Sequence, residues 1–423
     1  MEGVKRFLRL YRFSGWMGLR YALAKRVFPS SLWDGYSREA LSFAERMDFS
    51  NQDLTASRRV HQTYPEEISI RSVTWYIPEF TNPYYAGIHT ILRFAGFMAC
   101  QKGVKNRFVV IGNLDPKQIS RLIYEAQPEN LRDIDVATIR DFDQLSSLPA
   151  SDVGICTLWS TAFFLLRENR LKRKFYFLQD DETRFYPAGT LSGLVEASYR
   201  FGFIGLSNTP APARMYREEY QGQAISFYPS IDSAIFYPAK EPLAVAPYRI
   251  FWYARPGHPR NGFELCAQMF RKLKAVMGDS VDIIAAGDEW EPSLYALQGI
   301  VRNLGRLSYR GTADLYRTCH LGVVMMFTRH PSYIPFELMA CGCPVVTNDN
   351  SQTRWFFKPG ENCCIGETSP SSLAATIKEA LNNPDLRNRL AGNGLKLIRD
   401  QYSNWDSEFT NLYTTMCMSL GAL

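Results

Sequence analysis

An alternation that begins at Ile70 and runs almost to the end constrains this chain most: short apolar, β-rich runs take turns with amphipathic stretches of helical period. That is how a parallel sheet with helices on its faces reads in sequence, because parallel neighbours need a crossover between them. In the first series, strands are expected at Ser72 to Ile77, Arg107 to Ile111, Asp152 to Thr157, Lys174 to Leu178, Phe201 to Gly205 and Ala224 to Tyr228. Helices are expected between them at His89 to Gln101, Asp115 to Ala126, Ser160 to Glu168 and Leu191 to Arg200. A second series starts near Tyr248, with strands at Arg249 to Tyr253, Val281 to Ala285, Val301 to Leu304, Leu321 to Phe327, Pro344 to Thr347 and Cys363 to Ile365. Its helices fall at Gly262 to Val276, Thr312 to Arg317, Pro335 to Cys341, Pro370 to Asn382 and Asp385 to Asp400.

At 423 residues the chain is about two or three typical domains long, in keeping with two such series. The joint is expected between Tyr228 and Pro247, where four prolines break the periodicity. The expected division is an arm at 1–70, Rossmann-like domains at 71–238 and 239–400, and a C-terminal helix at 401–423 packing back on the first domain. Two facing doubly wound sheets leave a cleft at the carboxyl ends of their strands, where ligands bind in this architecture.

Composition limits the partners. With 46% hydrophobic and 21% charged residues, wholesale disorder is excluded. No window approaches the roughly 18 uninterrupted apolar residues of a membrane span. Nine cysteines without a regular frame imply a reducing, cytoplasmic compartment. The net charge of +6 lies wholly in residues 1–28, where seven Lys and Arg face Glu2, so the remainder sums to zero. With Phe7, Leu8, Tyr11, Trp16 and Leu19 interleaved, that arm reads either as a basic amphipathic helix on an anionic membrane surface or as a helix docked on its own domain. Nucleic acid is not expected as a partner, because no basic cluster with stacking aromatics recurs elsewhere.

Two constellations follow strands of the second series. Arg255 and Arg260, five residues apart on a Gly/Pro loop with Asn261, are placed to converge on a diphosphate or to sit as ordinary surface arginines. Downstream, Ser332, Tyr333 and Ile334 form a turn whose N–H groups open a helix, with Pro335 in its first turn and Glu337 about one turn in. Glu337 is either the acceptor for both hydroxyls of a ribose or a partner of the helix dipole.

In the first series, Gly87 and His89 open the helix after the first strand; Gly87 would let the backbone approach a ligand, and His89 either meets that ligand or points into the core. After the fourth expected strand, Gln179, Asp180, Asp181, Glu182 and Tyr186 combine carboxylates with rings, which suits sugar recognition with Asp180 or Glu182 as a base, or else a solvated acidic loop. Asp133 with Asp135, and Asp141 with Asp143, mimic a metal-binding Asp-x-Asp but lie far in sequence from the other motifs; no metal or other cofactor is expected.

The run from Arg329 to Val346 resembles the nucleotide-sugar signature of the retaining family 4 glycosyltransferases of GT-B fold: Glu, seven residues, Glu, then Ala-x-Ala-x-Gly-x-Pro-Val. Arg255 and Arg260 fall where that family has Arg, four residues, Lys. Gly305 to Ser308, including Leu307, resembles its nucleobase-side segment, and Ser230 to Pro238 its interdomain phrase. Eight residues before Glu337 stands Arg329, so the first glutamate of the family pair is missing. The phrases around His330, Arg255 and Gln179 resemble the rhamnosyltransferase WsaF group. The resemblance implies a retaining transfer of L-rhamnose from dTDP-L-rhamnose to a growing polysaccharide; with the arm at 1–28 on an anionic membrane surface, a lipid-linked acceptor and a place at the inner face of the cell membrane are expected. In that reading Arg255, Arg260, Asn261, Leu307, Ser332, Tyr333, Ile334 and Glu337 hold the donor, Gln179, Asp180, Glu182 and Tyr186 the acceptor, and Arg255, Arg260, Gly87, His89 and Asp180 serve catalysis. A catalytically silent GT-B scaffold and a nucleotide-sugar epimerase are the competing readings.

Overall fold

In the computed structural model, residues 35–127, 129–131, 134–241, 243 and 246–422 are described. The basic arm at 1–28, and Asp133, lie outside them.

Among the described residues, thirteen strands form two wholly parallel sheets. The first contains β1 (Ser72–Pro78), β2 (Lys105–Ile111), β3 (Asp135–Ile139), β4 (Val153–Cys156), β5 (Arg173–Leu178), β6 (Ile204–Ser207) and β7 (Ala224–Ser226), in the order β3-β2-β1-β4-β5-β6-β7. The second contains β8 (Tyr248–Ala254), β9 (Val281–Gly287), β10 (Val301–Asn303), β11 (Leu321–Val323), β12 (Val345–Asn348) and β13 (Cys363–Gly366), in the order β10-β9-β8-β11-β12-β13. Each order reverses once, at β1/β4 and at β8/β11, and there the chain leaves neighbouring strands toward opposite faces. A crevice opens at that point.

Helices on both faces make each sheet a buried layer, so its central strands read as continuous apolar runs. In β5 every residue is buried, including Arg173 and Lys174. Their charges are matched by acceptors: Lys174 Nζ donates to Ser57 Oγ, the Leu166 carbonyl and Asn169 Oδ1 at 2.8–3.0 Å. Arg173 donates to the carbonyls of Met416, Met418 and Glu66. It thereby ties the last helix, Trp405–Cys417, to the first sheet, and Phe409, Leu412 and Met416 of that helix join this sheet's core. Ahead of β1, the helices Gly35–Arg46 and Asn51–Thr63 cover the other face; the second is capped by Ser50 and Asp53 in a reciprocal box.

Several elements differ from expectation, four of them instructively. The sixth strand lies at Ile204–Ser207 rather than Phe201–Gly205, because Phe201 and Phe203 pack with Phe49 and Phe163 in the helix layer and Gly202, at φ +81°, turns the chain between them. Strand β11 stops at Val323: beyond it the Met326 backbone is taken by the side chains of Asn348 and Asn350. Edge strand β3 was not expected, its side chains being mostly half-exposed. Nor was the helix Pro210–Tyr220, whose two early prolines read as a loop but fit a first turn.

Candidate active site

Between the two sheets lies a cavity of about 490 Å³, the size of a small-ligand site. Its walls are the segments leaving the carboxyl ends of β1, β4 and β5 on one side and of β8, β9 and β11 on the other. Gly87, His89, Gln179, Asp180, Glu182, Arg255, Arg260, Asn261, Leu307, Ser332, Tyr333, Ile334 and Glu337 all line it. Tyr186 does not. Its hydroxyl accepts the Trp159 indole N–H at 3.2 Å and its ring packs edge-on to Trp159, so the expected acceptor contact is corrected to a packing role.

The two arginines differ in how they are held. Arg255 donates to the Tyr253 hydroxyl at 3.1 Å and touches the His258 ring, while its buried Nε has no partner among the described residues. Arg260 lies over the Phe185 ring of the first half, 4.4 Å from its centroid, and faces Asp180. Between Arg260 and the helix Phe263–Met277 stands Gly262, at φ +57°; a Cβ there would meet the Phe327 ring at 2.6 Å, so only glycine turns the loop this tightly.

Beyond β11 the chain kinks at Ser332, whose φ is +69°. Its N–H was expected to face a ligand but donates to His330 Nδ1 at 2.9 Å, because the kink folds it back over the ring. Tyr333 and Ile334 remain at the start of the helix Ile334–Ala340, whose first-turn N–H groups have no intrahelical acceptor. The Tyr333 hydroxyl crosses to the first half and meets Thr90 Oγ1 at 2.7 Å and Asn208 Nδ2 at 3.4 Å. Glu337 is buried, and burial lifts its carboxyl to about 8 despite the opposing pull of Arg93.

On the facing wall, Gly87 lies so close to Gln179 that a Cβ would sit 3.0 Å from its Nε2. Asp180 accepts three hydrogen bonds: from the N–H of Asp181 at 2.8 Å, the N–H of His330 at 3.1 Å and the Thr328 hydroxyl at 2.7 Å. Burial nevertheless raises it to about 6. Glu182, expected to hold acceptor hydroxyls, instead accepts from the Trp159 N–H at 2.7 Å and the Tyr176 hydroxyl at 3.2 Å, because its loop turns inward under the cavity; burial lifts it to about 8. His89 edges onto Tyr84 and Tyr309, and burial lowers it to about 3, so its neutral ring borders both cavity and core. Of the Asp-x-Asp candidates, Asp135 pairs with Arg107 in the first sheet, and none of Asp135, Asp141 and Asp143 lines the cavity.

Residues 248–378 match the family model described as WsaF, C-terminal domain. Over 380 residues, 88% of this chain, the sequence is 37% identical to O-antigen biosynthesis protein RfbC of Myxococcus xanthus, and the alignment spans 29% of that protein's length. The chain superposes on sucrose-phosphate synthase from Thermosynechococcus elongatus with a TM-score of 0.65 at 14% identity, covering 84% of this chain and 100% of the other. Anabaena HepE in complex with UDP-glucose gives 0.64 at 14% identity, covering 83% and 100%. TarM gives 0.67 at 9% identity, covering 82% and 99%. The fold is GT-B, and the chain resembles WsaF.

The GT-B cleft also contains residues to which the sequence reading gave no role. His330 is buried; Nδ1 accepts from Ser332, so Nε2 carries the proton, and Nε2 has no partner among the described residues. Asn208, Ser230 and Trp405 also line the cavity, and each holds a buried polar atom without a partner among the described residues. Trp405 comes from the C-terminal helix, with Arg93 5.7 Å above its ring. Buried polar atoms without partners on residues of a cavity wall are candidates for hydrogen bonds to a polar ligand. His330 was open to detection, since it lies inside the quoted motif; Asn208 and Trp405 follow no motif.

Proposed function

We propose that the chain is a retaining glycosyltransferase that moves L-rhamnose from dTDP-L-rhamnose to a growing, lipid-linked cell-surface polysaccharide. The observation carrying this reading is that Arg255, Arg260, Tyr333 and Glu337 from one sheet and Gly87, Gln179 and Asp180 from the other line a single cavity at both points of order reversal. The name of the Myxococcus xanthus relative, an O-antigen biosynthesis protein, supports a polysaccharide product, and the family match supports the WsaF type of donor.

Breaking the anomeric C–O bond sends its electron pair to the leaving diphosphate. Arg255 and Arg260, placed in advance at the cavity wall, stabilise that charge and so lower the barrier. The sugar becomes oxocarbenium-like, the acceptor oxygen attacks from the face the diphosphate leaves, and the acceptor's proton passes to the departing phosphate. Glu337 accepts from the ribose hydroxyls. His330 Nε2 and Gln179 offer hydrogen bonds to the sugar, and the arginines supply the compensating charge that a metal ion would otherwise bring.

Isotope transfer from a panel of labelled nucleotide sugars to a lipid-linked glycan tests the reading. Label from dTDP-L-rhamnose is expected in the lipid fraction; nucleotide binding without transfer from any donor supports a silent scaffold, and an altered free sugar nucleotide supports an epimerase. The scaffold is favoured by one observation, a cation at position 329 where the resemblance predicts a glutamate.

A further inference from the structure

Arg329 does not line the cavity. Its side chain, only 11% exposed, leaves the second half of the molecule and joins two carboxylates of the first. Nε donates to Asp181 at 2.9 Å, in the loop after β5, and Nη2 donates to Glu219 at 2.7 Å, on the helix Pro210–Tyr220. Thr328 and His330, its neighbours on either side, supply two of the three donors to Asp180. Three consecutive residues of one half thus grip two consecutive carboxylates of the other. Gln352 adds a further tie, accepting from Arg329 at 3.3 Å and from Arg214 of the first half at 3.1 Å.

A guanidinium fork reaches two carboxylates on different elements at once, which a lysine ammonium does less well. The Asp181 side chain is 4% exposed, so among the described residues it keeps, without Arg329, only Arg184 and Thr183 as side-chain partners. A buried carboxylate short of donors moves toward water, and Asp180 is the next residue.

We propose that Arg329 is a positioning residue: by clamping Asp181 and Glu219 it closes the two halves along this edge and fixes the Asp180 carboxylate beside Arg260 at the reacting end of the cleft. The inference rests on the glycosyltransferase reading. Because Arg329 is outside the cavity, it acts on the rate of transfer rather than on donor affinity.

The test combines steady-state kinetics with X-ray scattering on the full chain. Arg329→Gln is expected to lower kcat about tenfold or more, the scale of a small misplacement of a reacting group, with donor KM changed less than about twofold. Arg329→Lys, which keeps the charge, recovers part of that loss. Arg329→Glu sets a third carboxylate against Asp181 and Glu219 and falls below the glutamine variant. Scattering on the nucleotide-free protein reads the clamp without any substrate: the radius of gyration rises in Arg329→Gln. If wild type transfers no sugar, the glycosyltransferase reading fails and scattering alone decides the clamp. Should the charge-reversed protein not fold, Glu219→Gln, at the exposed end of the clamp, is expected to lower kcat in the same direction by less. An unchanged kcat or radius of gyration in Arg329→Gln, a rise in KM in place of the fall in kcat, or full activity in Arg329→Glu overturns the proposal.

Discussion

Arg260 carries two loads: it faces Asp180 across the cleft, and its guanidinium lies over the Phe185 ring of the opposite half. Among the described residues, the hydrogen-bond partners of Arg255 come from its own half. Replacing either by alanine is expected to cut turnover about a hundredfold or more, as for one lost transition-state donor. Only Arg260→Ala should also loosen the closed form, read as a larger radius of gyration. Glu337 makes a pH prediction. Its native carboxyl titrates near 8, above the ordinary 4.5, so the folded protein binds more protons than the unfolded chain between those values. Its contribution to stability is present below about 4.5 and is lost as the pH rises through 8. Glu337→Gln should therefore flatten the fall in thermal midpoint between pH 6.5 and 8, and an unchanged slope would show that this carboxyl is not the cause. At this scale the cavity-lining residues were legible where chemistry leaves a motif, as with Arg255 and Glu337. They were illegible where burial reassigns a polar group: nothing in Gln179 to Tyr186 says that Glu182 turns inward to Trp159 while Asp180 crosses to Thr328.

The loops after β5, β8 and β11 set the site, and their shape depends on a few backbone positions. Gly262→Ala forces a left-handed residue to carry a Cβ against Phe327 and is expected to cost about 1–3 kcal/mol, seen as a lower thermal midpoint; no change would mean the loop relaxes freely. Gly87→Val should abolish transfer with little loss of stability, since the added methyls press on Gln179 inside the cavity. Most elements were legible because a strand buried on both faces is largely apolar, as β4 is. The exceptions obey other forces. The half-exposed edge strand β3 lacks that pressure, and Asn348 and Asn350 end β11 by capturing the Met326 backbone from a distance in sequence no local pattern reveals.

Over the whole molecule, the C-terminal helix binds the halves together: Trp405 stands in the cleft beside Tyr333 while Phe409 and Met416 sit in the first sheet's core. Among the described residues no helix is long and apolar enough to cross a membrane. Membrane contact is proposed for the arm at 1–28; its deletion should abolish salt-sensitive co-sedimentation with anionic vesicles, and retention at the same salt would place the contact elsewhere. The most direct test of a diphosphate held between Arg255 and Arg260 is calorimetric titration of dTDP into wild type, Arg255→Ala and Arg260→Ala. A one-to-one complex weakened at least about tenfold in each variant is expected, as for a lost charged hydrogen bond. Equal affinity in all three proteins would contradict it.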